Sequence, residues 1–124
     1  MLPPAVPPPL LSDTGLRSAL LFALLAERLS AYYEHGQWIT DAQASRLAAD
    51  WLARSGRALP AGQRAELSAA SDLLARQIQG SLSREAGLHT AHELMESLDC
   101  RYQSETGLAM MDECTRLVVA METG

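Results

Sequence analysis

An apolar segment near the start of the chain, ALLFALLA at residues 19–26, limits the folds that are open to this sequence. Leu and Ala are strong helix formers, so we expect a helix from about Thr14 to His35, which Gly36 ends. This helix is apolar on every side, and such a helix lies either at the centre of a bundle or between two subunits. The segment is far shorter than the roughly 20 apolar residues of a membrane span. We therefore predict no membrane insertion.

Four further helices are predicted from capping residues, glycine stops and apolar periodicity. Thr40 and Gln43 fit a capping box at the start of the second helix. The expected limits of the four helices are Thr40 to Gly56, Pro60 to Gly80, Ser81 or Ser83 to between Leu98 and Tyr102, and Ser104 or Thr106 to about Met121. No segment shows the sustained alternation of a strand. The predicted fold class is an all-α, single-domain bundle of about five short helices with antiparallel neighbours.

We predict a proline-rich arm at residues 1–11, MLPPAVPPPLL, and one helical domain at residues 12–124.

The composition of the rest of the chain indicates the cellular compartment and the classes of partner that we expect. The two cysteines do not make a disulfide scaffold, so a reducing cytoplasm is the expected compartment. All ten basic residues are arginine, which indicates a GC-rich bacterial genome and excludes lysine-based catalysis. The net charge of −5 argues against nucleic-acid binding.

The segment most suggestive of chemistry is REAGLHTAHELMESLDC, residues 84–100. On a helix its expected buried stripe consists of Leu88, Ala91, Met95, Leu98 and Tyr102. His89 and the glutamates lie roughly opposite that stripe, and His92 lies on the flank. The predicted i,i+4 pairs are Glu85–His89, His89–Glu93 and His92–Glu96. His92 and Cys100 are about 12 Å apart along the axis, too far to share one zinc ion. We therefore predict a solvated face and no metal site, with a metal-binding enzyme that uses His89, His92 and Cys100 as an alternative.

The two cysteines are expected in different environments. Cys114 falls on the apolar face of the fifth helix, which predicts a buried thiol that acts as a small hydrophobic side chain. Cys100 lies on the polar face of the fourth helix, either at its end or where another chain covers it. A disulfide between them is not expected, because the two positions lie at different heights in a helical hairpin.

Candidate partner-binding residues come from three places in the sequence. The segment YYEHGQW, residues 32–38, gathers three aromatic residues at one helix junction, and Tyr and Trp often anchor interfaces. Alternatively, these aromatic rings close the end of the bundle. The first helix has surplus apolar surface, and the fifth carries a second apolar face. The residues predicted to bind a partner are Leu21, Leu25, Tyr32, Tyr33, Trp38, Leu108 and Val119.

No nucleophile motif and no phosphate-binding loop is present in the sequence, so we predict that the chain is not an enzyme and has no cofactor. The expected function is a non-catalytic regulator, of the antagonist or anti-activator type, that masks a helical or apolar surface of a partner protein. A homodimer is also expected, because pairing of helix faces produces a symmetric dimer most simply. One alternative is a structural or chaperone subunit of a larger assembly, such as a secretion system. The other is the metal-binding enzyme described above.

Overall fold

A computed structural model describes residues 13–100 and 102–123 of the chain. The described part is 85% helical, with five helices and no strand, which confirms the all-α bundle. The helices are α1 (Asp13–His35), α2 (Asp41–Ser55), α3 (Ala61–Ser81), α4 (Arg84–Asp99) and α5 (Glu105–Thr123). The predicted arm at residues 1–11 lies outside the described residues. Among the residues that are described, no helix has the length and apolar character to cross a membrane.

The helix ends follow local rules that are readable from the sequence. The predicted capping box is confirmed: the Thr40 hydroxyl accepts a hydrogen bond from the Gln43 N–H, and the Gln43 side chain accepts one from the Thr40 N–H. Gly36 and Gly56 follow α1 and α2 with φ of 73° and 68°, in the left-handed region where glycine has no steric cost. The third helix runs one residue past the predicted stop at Gly80.

Helix α1 lies at the centre of the bundle and contacts each of the other four helices. Its residues 19–26 are all at most 5% exposed. The structure therefore accounts for the all-round apolar helix within one chain. Leu21 and Leu25, two of the residues predicted to bind a partner, are fully buried, so they are not accessible at the surface of this chain. Side chains of the other helices already cover them.

A buried arginine joins α1 to α3. The Arg28 side chain is 2% exposed, and its Nε donates to the Ser71 hydroxyl at 2.8 Å. Its Nη2 donates to the hydroxyl and the carbonyl oxygen of Ser68, while Nη1 reaches the Asp72 carboxylate at 3.3 Å and the Ile39 carbonyl oxygen at 3.5 Å. Burial lowers the pKa of Arg28, and the nearby carboxylate of Asp72 opposes this shift. A buried guanidinium with this many acceptors is stably held.

The buried side of α4 differs from the predicted stripe. Its fully buried residues are Gly87, Ala91, Leu94 and Ser97, while Leu88, Met95 and Leu98 are half-buried. The reason is Gly87, whose missing side chain leaves room for the ring of Tyr33 on α1. The close approach at Gly87 turns that side of the helix towards α1.

Candidate functional site

The polar face of α4 points into solvent, as predicted. His89 lies 2.6 Å from the Glu93 carboxylate and its side chain is 79% exposed. His92 is also exposed, and its Nε2 lies 3.5 Å from the carboxylate of Glu34 on α1. The described contact of His92 is thus with another helix and not with Glu96, the predicted partner. Both contacts lie on the surface, where such polar contacts add little to stability.

The same face does not gather metal ligands in the described part of the chain. No three side chains of His, Cys, Asp or Glu are placed there so that they could hold one ion. Cys100 is the C-cap of α4, exposed and two helical turns beyond His92. The helix therefore separates the residues that the enzyme alternative would need to bring together.

Both thiols are free, and they have different environments. Cys114 is fully buried on the inner side of α5, and burial raises the pKa of its thiol to about 12. Because the thiolate is the nucleophilic form, Cys114 is held in its unreactive state. Cys100 is exposed to solvent.

The aromatic segment YYEHGQW divides into one core residue and one surface cluster. Tyr33, also predicted to bind a partner, is 4% exposed and is not accessible at the surface, because its ring packs on Gly87. Tyr32 and Trp38 are half-buried and stack with ring centroids 4.3 Å apart. The guanidinium of Arg76 lies 4.7 Å from the centroid of Trp38, as in a cation–π contact.

This cluster is anchored in the buried network of Arg28. Arg76 pairs with Asp72 at 3.0 Å, and the same carboxylate faces Arg28. Leu73 lies one helical turn before Arg76, is 61% exposed and was missed by sequence reasoning. The sequence does contain an indication of this exposure, because Leu73 falls outside the apolar spacing of α3. We call Tyr32, Trp38, Leu73 and Arg76 the Trp38 surface.

A second apolar surface lies on α5. Leu108 and Val119 are 53% and 42% exposed, on the separate face that the sequence indicates. Met121 is 38% exposed and was also missed by sequence reasoning. It lines a shallow depression between α3 and α5 together with Leu67 and Val118. We call the solvent side of α5, which carries Leu108 and Val119, the outer face of α5.

No protein family, no curated protein and no solved structure matches this chain. Of the seven residues predicted to bind a partner, four remain accessible: Tyr32, Trp38, Leu108 and Val119.

Proposed function

We propose that the protein is a non-catalytic regulator that binds another protein and masks a helical or apolar surface of it. The observation that carries the proposal is the 61% exposure of Leu73 on α3, one helical turn from Arg76 of the Trp38 surface and outside a core that is already complete. Exposed apolar side chains that group on one surface are typical of protein-binding sites. We propose the bacterial cytoplasm as the setting, because free thiols suit a reducing compartment.

The Trp38 surface is the proposed docking site for this partner. It combines Trp, Tyr and Arg, the three residue types that most often dominate binding energy. Their rings and guanidinium are already stacked, so little side-chain entropy remains to be lost on binding. Leu73 extends the cluster with a large side chain that is 61% exposed. An apolar groove or helix of the partner would cover it.

The experiment that tests the proposal compares two variants with the same charge change. Leu73→Glu places a carboxylate on the Trp38 surface, and Ala49→Glu places one on the exposed side of α2 as a control. A photo-reactive amino acid at position 73 captures the partner in the native host, and mass spectrometry identifies it. Binding of the purified partner is then measured by calorimetry.

We expect Leu73→Glu to weaken binding of the captured protein at least tenfold, because a buried unpaired carboxylate costs several kcal/mol. Ala49→Glu should bind like the wild-type chain. The proposal is overturned if no protein crosslinks at position 73, or if both variants bind the captured protein equally well.

A further inference from the structure

The outer face of α5 has an internal symmetry. Eight exposed positions lie within an arc of about 120° on the helix wheel. They are Glu105, Leu108, Ala109, Asp112, Arg116, Val119, Ala120 and Thr123. The two other exposed residues of α5 point elsewhere: Glu122 accepts hydrogen bonds from Thr14 and Arg17 on α1, and Met121 lines the depression beside α3.

The eight exposed positions are arranged symmetrically about position 114. If the helix is turned end for end about that position, each of the eight takes the place of another. The reversal exchanges Asp112 with Arg116, which have opposite charges. It exchanges Leu108 with Ala120 and Val119 with Ala109, so each large side chain meets a small one. Glu105 and Thr123 exchange at the two ends. The three inner pairs are therefore complementary, in charge or in size, between this face and a second, antiparallel copy of it.

We propose that the outer face of α5 binds the outer face of a second copy, with the two helices antiparallel and a two-fold axis near position 114. This inference names the interface of a homodimer. It goes beyond the proposed function and does not depend on it. Asp112 of each copy faces Arg116 of the other across the axis, and Leu108 packs beside Ala120. The alanines allow the two helices to approach closely.

The charges select the antiparallel arrangement. In a parallel pair each Asp112 would face another Asp112 and each Arg116 another Arg116, which is unfavourable. Arg116 already contacts the Glu113 carboxylate of its own helix. A guanidinium has five N–H donors, so it can keep this contact and also bind the Asp112 of the other copy.

The test exchanges the two charges, with purified full-length protein and sedimentation equilibrium as the measurement. Wild-type chain should show a mass approaching twice 13.4 kDa as its concentration rises. Asp112→Arg leaves only arginines at the axis, and Arg116→Asp leaves only aspartates. Each single variant should dimerise at least tenfold more weakly. An equimolar mixture of the two variants restores both ion pairs, so it should recover the dimer.

Two further variants locate the interface. Leu108→Glu should abolish the dimer, whereas Leu73→Glu, on the Trp38 surface, should leave it intact. Circular dichroism confirms that each variant is folded. The proposal is overturned if the wild-type chain stays at 13.4 kDa at all concentrations, or if the mixture of charge variants stays monomeric. No second protein is present, so this result is independent of partner capture at position 73.

Discussion

At the residue scale, the contact between Gly87 and Tyr33 determines how α4 lies on α1. A Cβ atom added at Gly87 would overlap the ring of Tyr33. Glycine within a helix costs up to about 1 kcal/mol relative to alanine, because it loses more conformational entropy. The helix bears this cost because only glycine allows the ring to reach the α4 backbone. The Tyr33 hydroxyl is buried, and no group in the described part of the chain bonds to it. Packing of the ring therefore holds this residue in place.

Replacement of Gly87 by alanine tests the contact. Gly87→Ala should lower the free energy of unfolding by about 1–3 kcal/mol, because the ring must move and the gain in helix propensity does not compensate. The matched control is Gly80→Ala on α3, where nothing lies within 4 Å of the added atom. That variant should raise stability by up to about 1 kcal/mol. Urea denaturation followed by circular dichroism measures both. Equal effects of the two substitutions would contradict this account.

At the element scale, the Arg28 network holds α1 against α3 and also supports the Trp38 surface. The guanidinium bonds to Ser68 and Ser71, while Asp72 links it to Arg76 above the Trp38 ring. A buried charge of this kind is stable only while its partners remain. The packing of two helices and the position of a surface aromatic ring therefore depend on one side chain.

Loss of the guanidinium should affect both features. Arg28→Met keeps much of the side-chain volume but leaves Ser71 without its donor, and it should lower the free energy of unfolding by about 2–4 kcal/mol. Tryptophan fluorescence should also change, because Arg76 loses the network that positions it. Arg46→Met, on the exposed side of α2, is the control and should change stability by less than about 0.5 kcal/mol. A stable Arg28→Met with unchanged fluorescence would show that the network has no structural role.

The sequence predicts those elements whose ends are determined by neighbouring residues. The capping box of Thr40 and Gln43 involves residues three positions apart, so the start of α2 could be read directly. The buried side of α4 could not, because it depends on the ring of Tyr33, which lies more than fifty residues earlier. The partners of Arg28 on α3 lie 40 or more residues away, so they could not be predicted for the same reason. Contacts between helices depend on how the helices are aligned against one another, and tertiary packing determines this alignment.

At the scale of the whole molecule, α1 is the common core of the bundle. Each of the other helices packs on it, so none of them has a separate hydrophobic core. This arrangement explains why Leu21 and Leu25 are covered although the sequence left them as candidates for a partner. The apolar periodicity of a sequence shows that a residue is covered, but it does not distinguish a cover of helices from the same chain from a cover by a second subunit. The surplus apolar surface lies instead at Leu73 on α3 and on the outer face of α5.

A shared core predicts that the whole bundle unfolds in one transition. Leu25→Ala removes a fully buried side chain from α1 and should lower the free energy of unfolding by about 2–5 kcal/mol. Far-ultraviolet circular dichroism reports all helices, and fluorescence reports Trp38, just before α2, and Trp51, within α2. Both signals should shift together to a lower denaturant concentration. Leu73→Ala, at an exposed position, should change the free energy of unfolding obtained from either signal by less than about 0.5 kcal/mol. If fluorescence changes before circular dichroism in the Leu25→Ala variant, α2 unfolds separately and α1 is not the common core.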